Sequence, residues 1–310
     1  MDGSWLMKLP GDDTGSTRMY GMHRRRLHAA LLDAAGDAEV STGMRVVHID
    51  PGNAERQATI VVNTQGGEQR TTADLVIGAD GVHSRLRSVL LPERKVVSSG
   101  YTSWRAIIPA VELITDKFAM SWGPHAEFGA LPVGHGEVYW YGYAKCPPGT
   151  NFPDESVAVR ERFADWHDAA QFLIAGTAPG CLMRHDVWVL DKALKSYARG
   201  RTVLIGDAAH PMLPTLGQGA NSALEDGVTI GRLVPPRTRD IPAALRRVDQ
   251  QRRPRTQGLV RQSAAMARID AHLGPGWRQQ VGNAMFRSMP AGLAQRSGGS
   301  FLNWQVPGRP

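Results

Sequence analysis

Two stretches carry the residues whose types and spacing suit chemistry. The longer, residues 201–227, reads RTVLIGDAAHPMLPTLGQGANSALEDG. Its apolar, β-branched opening predicts a short buried strand, and Gly206–Asp207 punctuates its end. Asp207 stands at the C-terminal end of that strand, placed to accept a hydrogen bond from a sugar-like hydroxyl. Pro211 and Pro214 restrict the loop that follows. Gly217, Gln218, Gly219, Ala220 and Asn221 then open a helix, whose inner side is expected to carry Leu224, Val228 and Ile230. Small residues at a helix start let a ligand approach the backbone. Free N–H groups and the positive dipole end favour an anionic or electron-rich group there. Two glycines alone would describe an ordinary strand–loop–helix connection; the whole ordered set points to a ligand.

The second stretch, residues 80–87, reads DGVHSRLR and follows the apolar run ADLVIGA. Gly81 allows a sharp turn, and Ser84 suits the cap of a following helix. Asp80 and Arg87 fall at the strand's end, where ligands gather in open α/β sheets. A DG pair by itself is common; the eight-residue pattern behind an apolar strand is more specific.

Other elements must position these two stretches. Residues 23–34 have helical spacing at Leu27, Ala30, Leu31 and Ala34. Residues 44–72 alternate as a β-ribbon with a turn at Gly66–Gly67. From 98 to 145 aromatics cluster (Tyr101, Trp104, Phe118, Trp122, Phe128, Tyr139, Trp140, Tyr141, Tyr143) between Gly/Pro/His turns, which predicts an antiparallel sheet. Tyr139 and Tyr141 share one face of it, and His125 and His135 are turn residues. Residues 150–185 read as helical and acidic at first, and a strand over 183–191 follows. A long basic helix over 243–269 is expected to bend or break at Pro254.

The chain has 310 residues, 36 Lys plus Arg against 29 Asp plus Glu, and a net charge of +7. Its basic runs lack interleaved aromatics, which argues against nucleic acid and for solvated helix faces. No apolar run reaches membrane-spanning length, and the first residues lack the basic and apolar segments of a secretory signal. The two cysteines, Cys146 and Cys181, have no metal or disulfide spacing. The expectation is a cytoplasmic protein with no metal, no membrane partner and no nucleic-acid partner. Ser84 has no GxSxG context, so hydrolase chemistry is unsupported.

The segments GDAAHPMLPTLGQGANSALEDG and DGxxSxxR resemble the flavin-binding motifs of the group A flavoprotein monooxygenases, the aromatic hydroxylases of the para-hydroxybenzoate and salicylate hydroxylase type. The resemblance extends to HRRRLHAALL near the start, to GYTSWRAIIP at 100–109 and to the basic C-terminal helix. It implies an α/β fold: a Rossmann-like FAD/NAD(P)-binding domain, an inserted antiparallel substrate-binding sheet and a C-terminal helical region. The corresponding boundaries are 1–97 and 190–310 for the FAD-binding part and 98–189 for the substrate part.

The same resemblance implies roles. Arg24 reaches the FAD pyrophosphate. Asp80, Gly81 and Arg87 contact FAD and the route of NAD(P)H. Asp207 meets the ribityl chain, Pro214 lies beside the isoalloxazine, and Gly217, Gln218, Gly219, Ala220 and Asn221 face its pyrimidine edge. The implied activity is hydroxylation of a small aromatic substrate with NADH or NADPH and O₂ through a flavin C4a-hydroperoxide; no residue is assigned as catalytic base. The family's opening strand–GxGxxG–helix unit finds no counterpart in residues 1–22. The alternative expectation is therefore a truncated, non-catalytic remnant with impaired FAD binding.

Overall fold

The computed structural model describes residues 6, 20–109, 118–269, 272–288 and 302–308. The expected irregular opening over 1–22 lies almost wholly outside these. In chain order the elements are α1 (Arg24–Ala34), β1 (Arg45–Asp50), β2 (Ala58–Thr64), β3 (Gly67–Ala73), β4 (Val76–Gly78), α2 (Arg85–Leu90), β5 (Val96–Pro109), β6 (Ala119–Gly123), β7 (Ala126–Pro132), β8 (Glu137–Lys145), α3 (Glu155–Arg162), α4 (Asp168–Ala175), β9 (Met183–Leu190), β10 (Ala198–Arg199), β11 (Thr202–Leu204), α5 (Gly219–Leu233), α6 (Ile241–Ile269) and α7 (Trp277–Ser288). They fall into two compact units. One comprises Glu39–Ser99, Trp188–Met266 and Trp304–Pro310; the other comprises Met1–Ala38, Gly100–Val187 and Ala267–Asn303.

The first unit is α/β. Its alternating segment forms the antiparallel sheet β1-β2-β3, with the β2–β3 turn at Gln65–Gly66. A second sheet has the order β10-β11-β4. In it β4 and β11 run parallel, Thr202 opposite Val76 and Leu204 opposite Gly78. Two strands whose paired positions are 126 residues apart in sequence therefore end side by side, and their following loops leave from the same edge. Val76, Leu86, Leu90, Val203, Leu204, Ile230, Leu245 and Val248 form one buried cluster beneath them.

The buried stripe of α5 is not the apolar one expected. Leu224 and Val228 are 40% and 43% exposed, whereas Ser222, Glu225, Asp226, Thr229, Ile230 and Leu233 are buried. Those positions keep helical spacing, but four of the six are polar, so hydrophobicity pointed to the wrong face. Of the bend or break expected at Pro254 in α6, the break does not occur: the helix continues through Pro254 as one element. The exposed proline costs a hydrogen bond on the outer side, while buried Arg252 and Thr256 flank it inside. Thr256 Oγ1 donates to the Arg252 carbonyl at 3.0 Å.

The second unit is built on the antiparallel sheet β6-β7-β8-β5-β9. Directly paired residues share a face. Trp104, Ala106, Phe128, Ala130, Val138 and Trp140 therefore form one face, covered by Phe163, Leu173 and Ile174 of the α3–α4 region. The buried indoles find partners: Trp104 Nε1 donates to Glu155 at 2.8 Å and Trp140 Nε1 to Thr177 at 2.9 Å. Arg105, Tyr139, Tyr141 and Tyr143 lie on the opposite face. His125 and His135 occupy turns with φ of 53° and 56°. α1 forms where expected, but none of its residues is buried, and Leu31 and Leu32 are about half exposed.

Candidate functional site

The first loop of the site leaves β4. Asp80 at its start turns its carboxylate to the beginning of α2: Oδ1 accepts from Ser84 Oγ at 2.6 Å, and Oδ2 accepts from the amides of Arg85 and Leu86 at 2.7 and 3.1 Å. Ser84 caps the helix, its Oγ accepting from the Arg87 amide at 2.9 Å. Gly81 has φ +77°. These bonds satisfy helix-terminal donors and shape the turn.

Arg87 is 1% exposed. Its Nη1 donates to the carbonyls of Ala208 at 2.8 Å and Asp207 at 3.4 Å, and Nη2 donates to the carbonyl of Val82. Burial lowers its pKa, partly opposed by the Asp80 charge. The guanidinium thus ties the loop after β4 to the loop after β11, with its donors turned to backbone oxygens.

The loop after β11 is held from below. Gly206, with φ +54°, sits so close to α5 that an added Cβ would lie 3.2 Å from Ala223 Cβ. Asp226 Oδ2 accepts from the Gly206 amide at 2.9 Å and from His210 Nε2 at 2.6 Å; Oδ1 accepts from Arg252 Nε at 2.6 Å. Arg252 also meets Glu225 at 2.7 Å, and Glu225 pairs with Arg255 through two contacts of 2.8 and 2.7 Å. Burial pushes the Asp226 pKa up, but the hydrogen bonds and charge of His210, Gly206 and Arg252 outweigh it and leave the pKa lowered. This buried ionic set was not singled out in the sequence. Its signal was an acidic pair in a small-residue helix, with Arg252 and Arg255 one turn apart on the next helix.

Asp207 itself is exposed, and its carboxylate takes no hydrogen bond among the described residues. After it, Pro214–Leu216 make a single 3-10 turn, anchored by Thr215 Oγ1 to the Ser263 carbonyl at 2.8 Å. Gly217 adopts the left-handed conformation at φ +62°. α5 then begins with no side-chain cap and no acidic residue in its first turn. Gln218 is buried, while Ala220 and Asn221 are exposed. A free carboxylate at a strand end, a left-handed glycine and an uncapped helix N-terminus suit a ligand with sugar-like hydroxyls and an electron-rich ring edge. The FAD assignment fits these residues.

Asp80, Gly81, Arg87, Asp207, Pro214 and residues 217–221 all belong to this one unit. Arg24 belongs to the other, exposed in the first turn of α1, where its charge acts on His185. Among the described residues no cluster of His, Cys, Asp or Glu is arranged to hold a metal ion, and no helix is long and apolar enough to cross a membrane.

Parallel strands ending at two linked loops beside an uncapped helix fit the α/β fold of the FAD-binding proteins whose motifs the chain resembles. Residues 7–263 match the family model described as "FAD binding domain", and the chain belongs to the FAD-dependent aromatic monooxygenase family. It is similar to an aurachin C monooxygenase/isomerase of Stigmatella aurantiaca, 35% identical over 254 residues that cover 81% of this chain and 64% of that protein. It is also similar to a 2-heptyl-3-hydroxy-4(1H)-quinolone synthase of Pseudomonas aeruginosa, 32% identical over 303 residues, 95% of this chain and 76% of that one. Among solved structures, Klebsiella pneumoniae HpxO complexed with FAD and uric acid superposes with a TM-score of 0.80 at 27% identity, covering 90% of this chain and 71% of that one. The chain thus spans about two thirds to three quarters of these relatives' lengths.

Proposed function

We propose that this chain is an FAD-dependent monooxygenase that hydroxylates a small, electron-rich aromatic substrate with NADH or NADPH and O₂. The observation that carries the reading is the bond from Arg87 to the Ala208 carbonyl, which joins the two motif loops and leaves the Asp207 carboxylate exposed ahead of an uncapped α5. Bound FAD supplies the hydride acceptance and oxygen activation. The chain's own residues bind and orient it. Asp207 would accept from the ribityl hydroxyls, Pro214 would shape the ring's surroundings, and residues 217–221 would hold its pyrimidine edge. Asp80, Ser84 and Arg87 act as positioning residues for the loops, and Arg24 is assigned to the pyrophosphate.

The relatives support a substrate class. One is named for a 4(1H)-quinolone, and HpxO was solved with uric acid. Both are fused, nitrogen-containing rings bearing an exocyclic carbonyl oxygen, and that class is taken for this chain.

The test is flavin content followed by turnover. The purified protein should be yellow, and a 4(1H)-quinolone should stimulate NAD(P)H oxidation with stoichiometric incorporation of one oxygen atom. FAD-loaded protein that oxidises NAD(P)H while no member of a quinolone, purine and phenol panel gains oxygen would refute the hydroxylase assignment.

A further inference from the structure

Helix α7 presents its apolar residues to solvent. Trp277, Val281 and Met285 recur at four-residue spacing and are 68%, 58% and 47% exposed. Ala284 and Ser288 on the same side are exposed too, so the stripe runs the length of the helix. Gln279, Gly282 and Asn283 are partly buried, and Phe286 is buried. The polarity of an ordinary surface helix is thus largely reversed. The inner contacts fix this orientation. Phe286 meets Trp122 of β6 edge-on, with ring centroids 4.7 Å apart. A Cβ at Gly282 would lie 3.4 Å from Leu273 Cδ1, and the Leu273 carbonyl accepts from the His125 amide at 2.8 Å. All of these residues belong to the unit built on the five-stranded sheet. The stripe cannot roll inward without losing these contacts. An apolar patch held outward in this way marks an interaction surface.

Charge along this segment has one sign. Residues 271–310 contain four arginines and no aspartate, glutamate or lysine. At about 100° per residue, positions 278 and 287, both arginine, fall roughly a quarter turn to either side of the stripe's centre. Trp277 stands at one end of the stripe, and amphipathic tryptophan rings settle at the boundary between hydrocarbon and water. A second copy of the chain fits this surface poorly. The 12-residue helix is about 18 Å long and about 10 Å wide, so its outer face offers roughly 180 Å², against about 800 Å² per partner in a standard interface. A two-fold contact would also set each arginine-flanked stripe against its own copy, with no acidic residue on α7 to pair them. An anionic bilayer surface meets both demands. Its headgroups pair with arginine, and its acyl boundary takes a narrow apolar face lying in the membrane plane. The expectation of no membrane partner rested on the lack of a spanning run; a helix lying in the interface needs none.

We propose that α7 is an in-plane docking helix that seats the sheet unit on an anionic lipid surface, with Trp277, Val281 and Met285 in the headgroup–acyl boundary and Arg287 on the headgroup phosphates. Attachment is reversible, because a short apolar face and a few charges each supply only part of the affinity. Because Phe286 holds α7 to Trp122, docking brings the β6 edge of the sheet to the bilayer. The surface uses no residue of the flavin-binding loops and does not depend on the monooxygenase reading.

The test is co-sedimentation of the full chain, with FAD added, on vesicles of phosphatidylcholine alone or with one third phosphatidylglycerol. The wild-type protein is expected to bind the anionic vesicles at least tenfold more tightly, and added salt should weaken that binding. The uncharged double variant Val281→Ser, Met285→Ser should lose at least tenfold in affinity for anionic vesicles while its melt and flavin content stay unchanged, because both side chains are exposed. Arg287→Gln should lose severalfold and flatten the salt dependence. Trp277→Ser serves as the reporter of the stripe if the double variant folds poorly. Three results would overturn the proposal: no binding to anionic vesicles, equal binding to both kinds, or binding that the serine variants leave unchanged. The last would mean that net positive charge acts without the stripe. Self-association in sedimentation velocity that the double variant abolishes, with no vesicle binding, would assign the stripe to a second copy instead. Every readout here is attachment rather than turnover, so a failed hydroxylation assay leaves the docking helix standing, and failed attachment leaves the monooxygenase reading standing.

Discussion

Asp226→Asn is the substitution that most directly probes how the loop bearing Asp207 is held. Asparagine preserves shape but brings one amide oxygen and one NH₂ to a position where the carboxylate accepts three hydrogen bonds from Gly206, His210 and Arg252. If the oxygen faces Arg252, the NH₂ meets the Gly206 amide and His210 Nε2; if it is flipped, the NH₂ meets the guanidinium. Either orientation opposes donor to donor. The charge is lost as well, so among the described residues Arg252, at 2% exposed, keeps only Glu225 as an anionic partner. Removing one member of a buried pair costs about 3–5 kcal/mol. At roughly 2–4 °C per kcal/mol for a domain of this size, Tm should fall by about 6–20 °C.

The pH dependence has a definite sign. The folded-state pKa of Asp226 lies below its unfolded value, so its contribution is complete above the unfolded pKa and is lost as pH falls through the folded one. Urea or thermal melts of the two proteins should therefore differ fully at neutral pH and converge in acid. FAD affinity should fall too, because the Gly206 turn that presents Asp207 loses its anchor. A variant within 1 kcal/mol of wild type at pH 7, with an unchanged acid limb, would refute this account of the loop.

Asp207→Asn should behave in the opposite way. Its carboxylate is exposed, so stability should change by less than about 0.5 kcal/mol, while loss of charged hydrogen bonds worth about 1.5–3 kcal/mol should weaken FAD binding tenfold or more; unchanged flavin affinity would count against its role. Gly129→Ala drives a methyl into the Tyr141 ring, and overpacking of this kind costs about 1–3 kcal/mol; a melt matching wild type would show that the ring is free to move. His272 stacks on Tyr101 with ring centroids 3.9 Å apart and bonds the Tyr143 hydroxyl at 2.9 Å. Burial first, then the charges of His125 and Arg268, push its pKa down to about 4. The unfolded chain then binds the extra proton, so stability should decline as pH drops from the ordinary histidine range toward about 4; His272→Phe should flatten that limb, and a limb unchanged in this variant would discount His272 as its source.

Several elements were legible because their signals are local. The β-branched run before Gly206, the glycine-rich opening of α5, the alternation of β1 and β2 and the cap at Ser84 each depend on residues within one or two turns or a single strand. The texture of residues 98–145 announced an antiparallel sheet for the same reason. Family membership was legible too, since DGxxSxxR and the residues around Asp207 are contiguous motifs. Other features were misread by the same local rules. Periodicity assigned Leu224 and Val228 to the inside of α5, because the rule assumes that a buried stripe is apolar. Pro254 suggested a bend or a break in α6; the helix is not broken there, because the rule omits the packing on either side of the proline.

The order of residues by itself determined where strands and helices begin, which turns need glycine, and which family the chain belongs to. Only the tertiary structure decided what the charged side chains do. Arg87 meets Ala208, 121 residues away, and Arg252 meets Asp226 across two helices. Secondary structure is written in short-range periodicity, whereas the partner of a buried charge is set by which distant segments the fold brings within hydrogen-bond reach.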